Sequence, residues 1–308
     1  MQHFSDLLME ACVKKKSVLI VGLDPYVENL PKQLFSNSMN NKEESIVNAI
    51  HEFNKIIIDA VHPFVVGVKP QLAFYEMYGS LGLKALEMTI KYAKTKDLII
   101  INDAKRGDIG STAAAYAEAF LGNSPISGDA VTVNPFLGRD GIQPFIQHGM
   151  KNSRGLFVLL KTSNPSSGEI QDLVVNNENP LYMNVASLIK ELSEGNIGKY
   201  GFSSVGAVVG ATYPEVSIVI RKYLPNTIFL VPGFGEQGGS LENLKGFFDS
   251  NGNGALISSS RGIIYSYIKD FPDTWRDLST DDIKNHVEKI TMEVRDKINT
   301  IRFSEEKS

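Results

Sequence analysis

The stretch Leu98-Ile-Ile-Ile-Asn102-Asp103-Ala-Lys105-Arg-Gly-Asp108 begins as a β-branched apolar run and ends in closely spaced charges. An unbroken apolar run of this length fits a strand buried on both faces, as in a parallel sheet covered by helices. Seven other stretches follow the same plan: Val18–Gly22, Phe64–Val68, Ala130–Val133, Gly155–Leu160, Ser204–Val209, Thr227–Val231 and Ala255–Ser258. Polar or Gly-rich turns close these runs, and helix-like stretches such as Ser45–Val61, Gly82–Thr95 and Thr112–Leu121 lie between them. Eight strand–helix units over about 250 residues predict an α/β fold, a (β/α)8 TIM barrel. A doubly wound open sheet is the competing arrangement. It would more often have five or six strands and a G-x-G-x-x-G first turn, where this chain has Gly22-Leu-Asp24-Pro25.

Residues 1–308 read as one domain. Three segments exceed a minimal barrel: a polar insertion near 26–44, a polar loop over 163–180 after strand five, and an added helix over Asp281–Ile301. The loop after strand five lies at the mouth where barrel enzymes keep their lids. Lys14-Lys15-Lys16 reads as the solvated end of a first helix.

The 308 residues are 43% hydrophobic and 21% charged, the balance of a soluble globular protein. A net charge of −4 argues against a nucleic-acid binder but leaves room for a local basic pocket. The N-terminus lacks a basic start and apolar run, and no apolar run approaches the roughly 20 residues of a membrane helix. The single Cys12 excludes an intramolecular disulfide and fits a reducing, cytoplasmic setting.

Charged side chains stand where barrel enzymes place their chemistry, at the C-terminal ends of the strands. Asp24 ends strand one, Lys69 ends strand two, and Asp103 and Lys105 end strand three. Residues two apart share a face of a strand, so Asp103 and Lys105 point together. Burying them without a partner or a function would be costly; a structural ion pair is the plain alternative. Asp108 equally suits an N-cap for the helix beginning near Ile109 or Gly110.

Pro232-Gly-Phe-Gly-Glu-Gln237-Gly-Gly239 follows strand seven and Ser258-Ser-Ser260-Arg261-Gly262 follows strand eight. Loops there are the usual phosphate site of this fold, and Arg261 can offer phosphate a forked pair of donors. Thr162-Ser163-Asn164-Pro165 suits either a heterocycle edge or an ordinary turn. Asn134-Pro135 and Gln71 are equally ambiguous. The five histidines fall away from the strand ends, so no metal centre is expected.

Taken in order, Gly22-Leu-Asp24-Pro25, Val66-Gly-Val-Lys69-Pro-Gln71, Asn102-Asp103-Ala-Lys105-Arg-Gly-Asp108-Ile109, the Gly-rich turn with Gln237 and Ser259-Ser-Arg261-Gly resemble orotidine 5′-monophosphate decarboxylases. The resemblance covers about residues 18–268 and is nearest that family's second, larger sequence subgroup. It implies cofactor-free decarboxylation of orotidine 5′-monophosphate in a homodimer with shared active sites, with neither metal nor cofactor. It also implies residue roles. Asp24 and Lys69 would bind the ribose, and Lys69 would hold Asp103. Asp103 would sit against the substrate carboxylate, and Lys105 would supply the proton. Asp108 and Thr112 would serve the neighbouring subunit's site. Ser163 would contact the pyrimidine, and Gln237 and Arg261 the phosphate. Ser260 stands where many relatives carry Gly, and a backbone contact is expected to survive the change. A sugar-phosphate barrel with a metal-dependent mechanism is the nearest rival, and a non-catalytic nucleotide-binding protein a more distant one.

Overall fold

The computed structural model describes residues 2–35, 42–175, 178–233 and 241–304. Among them, eight parallel strands close into a barrel in chain order. They are β1 (Leu19–Leu23), β2 (Gly67–Pro70), β3 (Ile99–Arg106), β4 (Ala130–Val133), β5 (Gly155–Lys161), β6 (Ser203–Val209), β7 (Thr227–Val231) and β8 (Ala255–Ser259). β8 returns to pair with β1, Leu19 opposite Ile257, and so removes both sheet edges. Each run expected from the sequence forms a strand. Every residue of β1, β6, β7 and β8 is buried, which is why these strands read as continuous rather than alternating.

β3 departs from expectation by running to Arg106 rather than ending at Asn102. Its register against β4 shifts on the way: Asn102 faces Val131, but Arg106 faces Val133. The slack is taken up in a bulge whose centre is Lys105, held at a left-handed φ of 47°. For a residue with a Cβ such a conformation costs on the order of 1–3 kcal/mol and persists only when its surroundings hold it.

Helices Lys42–Val61, Gly79–Lys94, Gly110–Leu121, Arg139–Asn152, Leu181–Ser193 and Pro214–Tyr223 cover the outside of the barrel. The first three begin two or three residues before the expected positions, because polar first turns carry no apolar periodicity. The 26–44 insertion contributes two short 3-10 turns, Val27–Asn29 and Lys32–Leu34, and runs into the helix at Lys42. The 163–180 loop contains a 3-10 turn, Pro165–Ser167, a short helix, Gly168–Gln171, and a ribbon pairing Val174–Val175 with Asn179–Pro180. Among the described residues no helix is long and apolar enough to cross a membrane.

The N-terminal helix Phe4–Lys15 closes the bottom of the barrel. A Cβ on Gly155, the first residue of β5, would stand 2.1 Å from the Phe4 ring, so glycine there makes room for the plug. The Ser5 hydroxyl donates to the Phe202 carbonyl just before β6. The C-terminal helix Thr280–Arg302 starts at a cap in which Ser279 Oγ accepts from the Asp282 amide, and it packs on Lys42–Val61.

One buried cation also belongs to the bottom. Arg221 donates to the carbonyl oxygens of Leu224, Thr227, Phe247 and Gly254, and its guanidinium lies 3.6 Å from the centre of the Phe229 ring. Burial lowers its pKa to about 10, against the opposing pull of Asp249.

Candidate active site

The C-terminal ends of the strands open into a pocket of about 560 Å³. At its β2–β4 side the Asp103 carboxylate takes four hydrogen bonds. Lys69 Nζ and Gln71 Nε2 reach Oδ2 at 2.7 and 3.0 Å. Lys105 Nζ and Thr132 Oγ1 reach Oδ1 at 2.5 and 3.0 Å. Lys69 and Asp103 are almost fully buried, whereas the Lys105 side chain is about half exposed.

Burial alone would raise the Asp103 pKa; Lys69 and Lys105 overcome it and hold the carboxyl well below the usual carboxylate range. Burial alone would likewise lower Lys69, but Asp103 and then Asp24 raise its pKa above the ordinary lysine value. Asp103 and Lys69 therefore form a charged pair around neutrality, with Lys105 Nζ on the other carboxylate oxygen. Removing Asp103 would leave the buried Lys69 ammonium without its closest anion, whereas removing either lysine would leave Asp103 paired with the other.

Lys105 reaches this carboxylate from within the bulge. Alternation along a regular strand would have put both side chains on one face, yet the contact forms with the lysine in a left-handed turn. The Lys105 amide donates to Thr132 Oγ1 at 2.9 Å, and the same hydroxyl donates to Asp103. Thr132 thus ties the bulge to the carboxylate it serves. Sequence reading missed Thr132 and left Gln71 open. The available signal was the one hydroxyl within the apolar run Ala130–Val133, and Gln71 sitting two residues beyond Lys69.

Asp24, after β1, lines the same pocket. Its Oδ1 is buried and has no hydrogen-bond partner among the described residues, so a donor-bearing ligand would satisfy it. Across the pocket, Ser163 is held close to β6 by the glycine after that strand. A Cβ on Gly210 would lie 2.7 Å from Ser163 Cα, too near for any side chain. Pro232, Gly233, Ser258, Ser260 and Arg261 line the β7–β8 side. The Ser260 side chain fills the space over Gly22 of β1, where an added Cβ would come within 1.8 Å of its hydroxyl oxygen. Gln237 lies outside the described residues.

Seven of the ten residues singled out from sequence therefore meet in one pocket: Asp24, Lys69, Asp103, Lys105, Ser163, Ser260 and Arg261. Asp108 and Thr112 do not line it. Asp108 Oδ1 accepts from the amide of Ile109, immediately before the helix at Gly110, and Thr112 is exposed. None of the five histidines lines the pocket. Among the described residues no group of three or more His, Cys, Asp or Glu side chains is placed to hold a metal ion.

A sequence profile described as the Orotidine 5′-phosphate decarboxylase / HUMPS family matches residues 17–269. This chain belongs to the orotidine 5′-phosphate decarboxylase family. As a member it is a carboxy-lyase. The orotidine 5′-phosphate decarboxylase of Caldicellulosiruptor bescii is 47% identical over 278 residues, which is 87% of this chain and 91% of that protein. A Toxoplasma gondii crystal structure described as an orotidine-monophosphate decarboxylase superposes with a TM-score of 0.81 at 34% identity, covering 98% of this chain and 96% of that one. The Leishmania donovani OMP decarboxylase gives 0.74 at 32% identity, with 98% and 100% covered. The matched span runs from just before β1 to just past β8. In orotidine 5′-phosphate decarboxylase terms, it contains the whole charged array and the strand-eight arginine.

Proposed function

We propose that this decarboxylase converts orotidine 5′-monophosphate to uridine 5′-monophosphate and carbon dioxide, the last step of de novo pyrimidine nucleotide synthesis, using only its own side chains. The observation that carries the residue assignment is the ionised Asp103 clamped between two lysines, one of which, Lys105, extends into the pocket. Heterolysis of the bond between the ring and the carboxylate leaves its electron pair on an sp² ring carbon that has no aligned π system to receive it. Lys105 supplies a fixed positive charge beside that carbon, and then gives it the proton that replaces carbon dioxide. Asp103 faces the departing carboxylate. Their like charges repel in the ground state, and the repulsion falls as neutral carbon dioxide leaves.

Lys69 holds Asp103 and, with Asp24, faces the ribose hydroxyls; the buried, unpartnered Asp24 Oδ1 supports that role. Arg261 and the backbone of Ser260 hold the phosphate, with Gln237 added from the preceding turn. Ser163 meets the pyrimidine edge. Phosphate binding far from the reacting carbon helps to order the site.

Asp108 and Thr112 serve the site of a second copy, in a homodimer. Their position away from the chain's own pocket supports this reading, as do Ile109 and Phe136 nearby, 56% and 83% exposed. A cytoplasmic location fits the one cysteine: burial pushes the Cys12 thiol up to about 12, so it stays protonated and unreactive.

The direct test follows the ultraviolet absorbance of orotidine 5′-monophosphate with purified protein, with and without EDTA. The expected result is a fall at the same rate in both. No fall at all rejects the substrate. A rate abolished by EDTA and restored by a divalent cation favours the metal-dependent sugar-phosphate class instead.

A further inference from the structure

The second buried lysine of the barrel mouth has no place in the chemistry above. Lys161, the last residue of β5, is 1% exposed and does not line the pocket. Its ammonium meets Asp172 Oδ1 at 2.6 Å and lies 4.5 Å from the centre of the Tyr213 ring. Asp172 belongs to the segment after β5, and its side chain is half exposed. The pair is thus asymmetric. The cation is fixed on the barrel, and the anion arrives on the segment that lines one wall of the pocket.

The same segment is tied down beside this pair. Gln171 accepts from the Thr162 amide at 3.0 Å and donates to the Thr162 hydroxyl at 2.8 Å. Ser167 donates to the Tyr213 hydroxyl at 3.2 Å. These contacts join residues 162–172 into a closed loop whose inner surface carries Ser163, Ser167, Ile170 and Gln171 into the pocket. Lifting the loop would pull Asp172 away from Lys161 and leave the ammonium buried without its anion. Water cannot easily replace that anion at a site 1% exposed, and Tyr213 compensates only in part.

We propose that Lys161 is a positioning residue that latches segment 162–172 against the barrel through Asp172, and so presets the pocket wall that meets the substrate. This rests on reading the pocket as the orotidine 5′-monophosphate site. A preset wall lowers the cost of closing around a ligand, so its loss falls on binding. Saturating substrate restores the closed wall, so the chemical step at Lys105 is preserved.

The test compares Lys161→Met, Lys161→Arg, Asp172→Asn and the Lys161→Met/Asp172→Asn double variant with the wild type. Expected are a KM for orotidine 5′-monophosphate raised about tenfold in Lys161→Met, or about 1.4 kcal/mol, and kcat within about twofold. Asp172→Asn moves the same way, Lys161→Arg recovers part of the loss, and the double variant is no worse than Lys161→Met. Asp172 is half exposed, so Asp172→Asn decides the matter should the buried substitution not fold. An unchanged KM in Asp172→Asn, additive single effects, or a loss of kcat in place of KM overturns the latch. Hydrogen exchange at the Thr162 amide reads it without substrate. Faster exchange in the variants supports the latch and unchanged exchange rejects it, whether or not the wild type turns over the nucleotide.

Discussion

At the bottom of the barrel Arg221 is buried against four backbone carbonyls, whereas at the top Lys69 is buried against the carboxylate of Asp103. The bottom cation gathers the start of β7, the residue before β8 and the end of a helix. Its partners are fixed partial charges that the backbone must place somewhere in any case. Its charge is used up within the fold. At the top, a full negative charge stands between two lysines, and Lys105 remains half exposed and turned into the pocket. That charge is organised but not used up. Arg221 cements the barrel, while the Asp103 cluster holds a field in readiness for a ligand.

The sharpest way to break this contrast is at its reactive end. In Lys105→Ala, turnover is expected to fall by about 10³-fold or more, measured by the absorbance assay, while titration with uridine 5′-monophosphate still shows binding. Normal turnover would remove the proton donor from the mechanism. Mixing this variant with Asp108→Ala chains should restore part of the activity through hybrid dimers with one intact site. No recovery in fully exchanged mixtures would count against a shared site.

The structural end should fail differently. Arg221→Met removes the guanidinium from four buried carbonyls, of which Leu224 and Gly254 keep a backbone amide donor, and is expected to cost about 3 kcal/mol of stability, read from the urea midpoint. The kcat/KM of the folded fraction should stay near wild type. A kinetic defect at unchanged stability would erase the distinction between the two ends.

A third expectation concerns pH. The folded Asp103 carboxyl titrates below its unfolded value. Its stabilisation is therefore fully present above the ordinary carboxylate value of about 4 and is lost as pH falls toward the folded one. Urea midpoints of the wild type and Asp103→Asn should converge as pH drops from about 4 toward 2. Above pH 5, Asp103 should impose no acid limb on turnover. A constant gap between the two proteins down to the lowest pH would contradict an ionised, lysine-held carboxylate.

The barrel was legible because its strands announce themselves: eight apolar runs separated by turns and helices, with no G-x-G-x-x-G after the first, fit a closed barrel better than a doubly wound sheet. The charges were legible because Asp24, Lys69, Asp103 and Lys105 sit where those runs end. Contacts between elements were not. Thr132 joins Asp103 only once β3 bulges against β4, and nothing in Asn102-Asp-Ala-Lys105 announces a left-handed lysine. Lys161 reads as the end of an apolar run, and only the returning segment supplies Asp172. A periodicity argument sees each strand singly; hydrogen bonds across strands depend on register, which the closed barrel sets.

The contact between Gly22 and Ser260 has a bearing on inheritance. β1 and β8 are the first and last strands of the barrel, and at their seam one methyl-sized volume is shared by positions 238 residues apart in the chain. Whichever residue occupies it, the other must stay small. Serine at 260 commits position 22 to glycine, and glycine at 260 would leave only Asp24 Oδ1, 3.1 Å away, to give way before an alanine at 22. The two sites should therefore drift as a pair, each substitution permitted or barred by the state of the other.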